Sequence, residues 1–406
     1  MPKYKFIDLF AGCGGLCDGF MQSGQYKHVA AVEWLKPQVD TLRNRMKTKW
    51  GDSHAEESIM HFDIQRTEEL FRGWHDEEYG TGKGLDYFVE KAGGIDIVIG
   101  GPPCQAYSVA GRVRDENGMK DDYRNYLFEH YLKVVEHYKP KVFVFENVPG
   151  ILSATPAGTP ITELIRKGFE SIGYSIVHPL CDFAKVDASQ YGVPQVRKRI
   201  LIVGINNQLV ENPQNLLENF YNNILPKQKA KKTITVAEAI GDLPVIEPSL
   251  DPEDHKHRNA YSVPDSNVTW HSSRYHSLRD MEIYHQIAYD LESGECKLQD
   301  SKTLSKIYEE KVGSKSPIHR YHVLRPDEPS TTIIAHLYKD GNRFIHYDSK
   351  QRRSITVREA ARLQSFDDDF DFIGSRGSAY QMIGNAVPPQ LAKRLALAIS
   401  ELLKQV

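Results

Sequence analysis

Two side chains in this sequence have the chemistry and the setting for covalent catalysis, a cysteine and a glutamate. Cys104 stands in Gly100-Gly101-Pro102-Pro103-Cys104-Gln105, directly after the apolar run Ile95 to Ile99. That run reads as a buried strand, which two glycines and two prolines stop abruptly. Open α/β sheets take their ligands at the carboxyl ends of their strands, so the thiol is held where a substrate would sit. Free cysteines are more often small core residues. A rigid Pro-Pro before Cys104 and the polar Gln105 after it make a poor core position, and a positioned nucleophile is the better reading. Glu146 ends the apolar strand Val142-Phe143-Val144-Phe145 and begins Glu146-Asn147-Val148-Pro149-Gly150. Successive strand ends of a parallel sheet share an edge, so Glu146 is expected over the same cleft as Cys104. A carboxyl group at the mouth of a partly apolar site tends to keep its proton at a raised pKa. A thiol and an acid over one cleft imply covalent catalysis with proton donation.

The elements that must position this pair read as a parallel α/β sheet. Phe6 to Phe10 is a short strand that runs into Ala11-Gly12-Cys13-Gly14-Gly15-Leu16 and then a helix. Such a corner lets backbone approach a nucleotide-type ligand. Cys17 stands where a dinucleotide fingerprint has its third glycine, which favours a small adenosine ligand over NAD and disfavours a Rossmann oxidoreductase. The second strand, Val29 to Val32, ends in Glu33-Trp34, an acid for ribose hydroxyls and a ring for the adenine face. His61-Phe62-Asp63-Ile64 adds a carboxylate for an adenine amino group. Ala106 to Arg124, polar and carrying Gly111 and Gly118, is expected to be a mobile loop beside the site. Leu127 to Tyr138 and Val357 to Leu363 read as helices, and Tyr174 to Val177 as a further strand. Arg197, Lys198 and Arg199 precede the strand Ile200 to Gly204 and suit phosphate or base contacts. The last helix carries Leu391, Leu395, Ile399 and Leu402 on one face, which must return to the first domain.

At 406 residues the chain suits two domains. No stretch is long enough to span a bilayer, no signal peptide opens the chain, and no regulatory extension is expected before Phe6. Five cysteines at irregular spacing indicate a reducing compartment, and Cys13 and Cys17 lack the second pair that a zinc site needs. No metal is expected. The net charge of −3 hides an uneven distribution: residues 301–362 hold thirteen Lys/Arg against seven Asp/Glu, while residues 51–96 hold four against twelve. A local basic surface can serve a polyanion while the rest stays acidic. Residues 1–205 are expected to form the catalytic domain and 206–330 a hinge and an irregular recognition domain, variable over about 245–320. Residues 331–406 are expected to return to the catalytic domain. The basic run Pro226 to Lys232 reads as a linker, and His255, His257, His271 and His276 as solvated side chains.

In order, the stretches 6–16, 32–34, 62–64, 100–108, 145–150, 190–204, 325–332 and 381–391 resemble the C5-cytosine DNA methyltransferases. That resemblance implies a Rossmann-like S-adenosylmethionine-dependent methyltransferase fold, a mixed and mostly parallel sheet, and an inserted target-recognition domain. It implies that Cys104 adds to C6 of a flipped cytosine, that Glu146 protonates N3, and that Arg199 holds O2. Arg197 would contact DNA backbone, with Gln105, Ser108 and Arg112 on the closing loop also meeting DNA. The cofactor residues carried over are Phe10, Gly12, Gly14, Glu33, Trp34, Asp63, Ile64, Pro103, Leu127, Asn385 and Val387, with S-adenosylhomocysteine as product. Tyr107 stands where many members carry Phe. A tRNA-methylating branch shares these motifs, but a variable region of roughly 120 residues points to duplex DNA. Intact Cys104, Glu146, Arg197 and Arg199 speak against a non-catalytic homologue. The expected protein is a monomeric, cytoplasmic, nucleoid-associated prokaryotic enzyme. Its expected context is restriction–modification, in which any cognate endonuclease is a functional rather than physical partner.

Overall fold

The computed structural model describes residues 3–102, 127–155, 158–313, 321–339 and 341–406. The chain divides into two compact units. Met1–Gly192, Arg197–Lys231 and Ala386–Val406 form the first, and Val193–Val196 with Lys232–Asn385 form the second.

The first unit is built from β1 (Tyr4–Leu9), β2 (Tyr26–Glu33), β3 (Ile59–His61), β4 (Trp74–Asp76), β5 (Gly80–Gly82), β6 (Ile97–Gly100), β7 (Val142–Asn147), β8 (Tyr174–Ile176), β9 (Lys185–Asp187) and β10 (Lys198–Asn206). Strands β4 and β5 form a separate hairpin, and the others one sheet in the order β3-β2-β1-β6-β7-β10-β8, with β9 on β10. From β3 to β7 every pairing is parallel. Strand β10 runs antiparallel to β7, β8 and β9. This is the mixed, mostly parallel sheet that the family resemblance implies, with β10 departing from the wholly parallel reading of the strands. Its inner strands are unbroken apolar runs because helices cover both faces. Ile97, Val98, Ile99, Val142, Phe143 and Val144 are fully buried. Around the sheet stand α1 (Gly15–Gln22), α2 (Lys36–Thr48) and α3 (Leu127–Tyr138). Tyr131 of α3 directs its hydroxyl at the carbonyls of Val98 (3.1 Å) and Val144 (2.9 Å).

The topology fixes where ligands go. The chain leaves β1 to one side for β2 and to the other for β6, and a crevice opens at the carboxyl ends where that order reverses. Because β10 is antiparallel to β7, the start of β10 lies at the same edge: Leu201 pairs with Glu146 and Ile200 with Asn147.

The second unit carries α4 (Leu278–Glu292), α5 (Ser301–Val312), α6 (Val357–Leu363) and α7 (Arg376–Asn385). Its core joins Ile283, Tyr284, Ile287 and Ala288 of α4 to Leu304, Tyr321, Val323 and Ile345. Beside it lies a buried polar network. Arg353 meets Glu359 through two bonds of 2.7 and 2.6 Å, both side chains 1% exposed. His271 and His276 belong to this network, which corrects the expectation that they are solvated. His271 lies between the Thr356 hydroxyl and the Pro244 carbonyl (3.1 and 2.8 Å), and His276 meets the Ser354 hydroxyl at 3.1 Å. Partners within the fold replace water, and sequence spacing does not reveal such partners.

The boundaries also fall elsewhere than 206 and 331. Residues 213–228 are helical and bury Leu217, Phe220 and Ile224, with the Tyr221 hydroxyl bridging Leu201 and Val203 of β10. Residues 331–385 belong to the second unit. The junction at Lys231/Lys232 lies within the basic run. The chain then returns to the first unit as α8 (Pro389–Leu403), with Leu391, Leu395, Ile399 and Leu402 fully buried. Helix α8 packs on α1, and Tyr26 donates to the Ala396 carbonyl at 2.8 Å.

The network makes the second unit acid-sensitive. Burial, with Arg274 and Arg353 nearby, pulls His276 from 6.5 to about 3; burial and Arg353 pull His346 to about 4. Each folded value lies below its unfolded one, so the stabilisation is complete above pH 6.5 and is lost as pH falls toward 4 and 3. At pH 5 each histidine then costs about 2 kcal/mol. The unfolding transition of this unit, followed by calorimetry, is expected to hold steady from pH 8.5 to 7.5 and to drop at pH 5.

Candidate active site

Strand β1 delivers the chain into a corner made of left-handed turns, with φ of 56° at Phe10, 59° at Gly12 and 93° at Gly14, the N-cap of α1. Gly15 has no room for a side chain: a Cβ there meets the Val387 carbonyl and the Ala386 methyl. Val387 is thereby seated against the corner. At the end of β2, the Glu33 carboxylate accepts the Gly12 amide on Oε2 (2.9 Å) and the Leu35 amide on Oε1 (2.8 Å). Backbone amides thus fix the carboxylate, and its remaining acceptor capacity suits a ribose hydroxyl. Burial raises the pKa of Glu33 while the amides of Leu35, Gly12 and Trp34 pull it down. After β3, Asp63 takes the Gln65 amide at 3.0 Å and Ile64 is buried. Trp34 leaves its indole 53% exposed. Two fixed carboxylates, a flat ring and an apolar floor fit an adenosine group. Asp8, two residues before Phe10, is buried, and burial with the charge of Glu33 holds its pKa well above the usual carboxylate range. Nothing in the sequence but its place in an apolar strand marks Asp8 out.

At the other side of the crevice, Glu146 is the penultimate residue of β7. Arg199 Nε lies 2.8 Å from its Oε1, with both side chains about a tenth exposed (11% and 13%). A Cβ at Gly101 would sit 2.8 Å from Glu146 Oε2, so glycine there leaves space for the carboxyl group. Asn147 donates to the Pro102 carbonyl at 3.4 Å, which ties the exit of β6 to the end of β7. Burial raises the pKa of Glu146, against the opposing pull of Arg199 and Arg197. The charges narrow the shift without reversing it, so the carboxyl group keeps its proton to higher pH than an ordinary glutamate does.

Arg197 is placed differently from the sequence expectation. It is 1% exposed and donates from Nη2 to the Ala386 carbonyl at 3.1 Å. Burial and the like charge of Arg199 lower its pKa, with Glu146 opposing; a guanidinium keeps its proton regardless. A side chain this deep does not reach DNA backbone. Its charge acts on Glu146 and Arg199 through space.

Leu127 opens α3 and is buried, and Asn385 ends α7 in the second unit and is exposed. Pro103, Cys104, Gln105, Ser108 and Arg112 lie outside the described residues, as does the rest of the expected loop from Ala106 to Arg124. Among the described residues no helix is long and apolar enough to cross a membrane.

The sequence profile of the family described as C-5 cytosine-specific DNA methylase matches residues 4–401. The type II methyltransferase M.Bpa9945I of Bacillus paralicheniformis is 31% identical, over 98% of each chain. The type II methyltransferase M.AgeI of Thalassovita gelatinovora is 30% identical, over 97% of this chain and 99% of that one. Among solved structures, a candidate DNA modification methyltransferase encoded within an E. coli prophage superposes with a TM-score of 0.64 at 23% identity. The superposition covers 99% of this chain and 100% of the other.

Proposed function

The chain belongs to the C-5 cytosine-specific DNA methylases, and we propose that it methylates a cytosine flipped out of duplex DNA through Cys104 and Glu146. The carrying observation is the Glu146 carboxyl group, largely withdrawn from solvent against Gly101 and backed by Arg199 and Arg197.

C5 of cytosine is a weak nucleophile. Addition of the Cys104 thiolate to C6 moves an electron pair toward N3 and makes C5 enamine-like. Glu146 donates a proton at N3 as charge develops there, and Arg199 holds O2. A methyltransferase of this family uses S-adenosylmethionine, which supplies an electrophilic methyl group when bound. Glu33 would hold its ribose, and Trp34, Asp63 and Ile64 its adenine. Phe10, Gly12, Gly14 and Val387 would line the corner, with Pro103, Leu127 and Asn385 completing the set. Once C5 carries the methyl group, loss of the C5 proton to a base re-forms the C5–C6 double bond and expels Cys104 from C6 as its thiolate, while the N3 proton returns to Glu146. A base inside a duplex cannot enter such a crevice, so Gln105, Ser108 and Arg112 are assigned to the opened DNA.

The curated relatives are named as type II methyltransferases, and the proposed setting is accordingly restriction–modification in a prokaryotic cytoplasm, at the nucleoid. We assign a monomer that needs no physical contact with an endonuclease and no metal. Incubation with labelled S-adenosylmethionine and either duplex DNA or tRNA tests the substrate. Label is expected in DNA alone, and bisulfite sequencing then reads its position. Label entering only tRNA would overturn the assignment.

A further inference from the structure

The hairpin β4–β5 carries a residue that this reading of the cofactor site leaves unused. Its two strands of three residues pair Trp74 with Gly82, His75 with Thr81 and Asp76 with Gly80. Trp74 stacks on Phe62, with ring centroids 3.9 Å apart and planes 26° apart. Phe62 immediately precedes Asp63 and Ile64, so the hairpin is fastened to the segment expected to meet adenine. Its connecting turn presents Tyr79. The Tyr79 amide donates to Asp76 Oδ1 at 2.7 Å, and Arg66 holds the other oxygen of Asp76 at 2.8 Å. The Tyr79 ring stands edge-on to Phe62 and to His61, 5.2 Å from each centroid. Arg66 lies 4.8 Å above Phe62 and 5.7 Å from Tyr79. Backbone, ring and charge thus fix the phenol from three directions.

What the phenol reaches is Trp34, whose indole N–H donates to the Tyr79 hydroxyl at 3.2 Å. Trp34 is 53% exposed, and an exposed ring with two free torsions must be ordered before it can cover a ligand. Ordering a side chain at a binding surface subtracts from affinity, and holding it beforehand removes that penalty.

We propose that Tyr79 is a positioning residue of the adenosine subsite: its hydroxyl, held by the hairpin, sets the plane of the Trp34 indole and thereby the affinity for S-adenosylmethionine and S-adenosylhomocysteine. The proposal rests on the assignment of Trp34 to the cofactor. It gives a function to residues 74–82, a stretch whose lone aromatics and acidic character show no strand periodicity.

Calorimetric titration of the full chain with S-adenosylhomocysteine tests it, using Tyr79→Phe, Trp34→Ala and the double variant. Tyr79→Phe keeps the ring packing and removes the hydroxyl, so the dissociation constant is expected to rise about three- to tenfold, the worth of one hydrogen bond. In the Trp34→Ala background the same change is expected to have no further effect, a coupling that a general structural role of Tyr79 would not produce. An unchanged dissociation constant for Tyr79→Phe would overturn the proposal. So would an equal loss in both backgrounds, because Tyr79 would then act by another route. If Trp34→Ala itself binds like the wild type, the assignment of Trp34 to adenine fails, and that failure is read separately from the Tyr79 arm.

Discussion

Cys104→Ser is expected to reduce methyl transfer by more than about a thousandfold while cofactor binding persists. The reason is the difference between the two nucleophiles. A thiol reaches its anion near neutral pH, and the large, polarisable sulfur suits addition to the C6 position of a conjugated ring. A serine hydroxyl at the same place lacks both properties, and no described histidine or lysine is assigned here to activate it. The exit of β6 is fixed upstream of Cys104 by Gly101 against Glu146 and by the bond from Asn147 to the Pro102 carbonyl. The corner around Glu33 is built from other strands, so the serine variant is expected to bind S-adenosylhomocysteine as the wild type does. Duplex DNA containing 5-fluorocytosine gives the sharper assay, since fluorine blocks the release step. Wild-type protein is expected to remain covalently attached after denaturing electrophoresis, and Cys104→Ser to leave no attached band. Turnover near the wild-type rate in the serine variant would contradict the mechanism.

Glu146→Gln carries the second large effect, a fall in kcat of about a hundred- to ten-thousandfold, the usual weight of a positioned general acid. Glutamine keeps the size and the hydrogen-bonding reach but has no proton to give. The wild-type pH profile supplies a signature. Burial raises the pKa of Glu146 despite Arg199 and Arg197, so its protonated form persists to higher pH than in an ordinary glutamate. Activity that depends on this proton is full below that raised value and declines as pH rises through it. In Glu146→Gln the declining limb attributable to this group is expected to vanish, leaving a low, flatter profile. A variant with wild-type kcat, or with the limb intact, would remove Glu146 from the proton-donor role.

The first unit was legible because its strands obey a simple rule. Buried parallel strands are continuous apolar runs, and whatever polar residue ends such a run lies on the ligand edge. Glu33, Asp63 and Glu146 each follow that rule, and the structure puts Glu33 at the end of β2, Asp63 two residues beyond β3 and Glu146 just before β7 ends at Asn147. The start of β10 reaches the same edge only by reversing direction, so three cations before a strand were visible while the depth of Arg197 was not. Burial of a charged side chain depends on neighbours supplied by distant segments, here the Ala386 carbonyl 189 residues away. The second unit defeated periodicity for the same reason. His271 and His276 look solvated in a polar stretch, yet Thr356 and Ser354, about eighty residues further on, are what bury them. The hairpin at 74–82 is too short for any period to register, and its hold on Phe62 through Trp74 is a tertiary fact.

Helix α8 gives the order of synthesis a role in when this enzyme becomes competent. The glycine corner that begins at Phe10 is walled by Val387 and braced through α1 by a helix ending at Leu403. A ribosome therefore emits the corner well before its wall, with the whole of 232–385 in between. Until the final turns of α8 are released, α1 has an uncovered apolar face and the corner lacks one side. A chain that already carries Cys104 and Glu146 but has not yet released residues 386–403 therefore lacks the wall of the glycine corner, and the proposed cofactor site is expected to form only once that segment has folded onto α1.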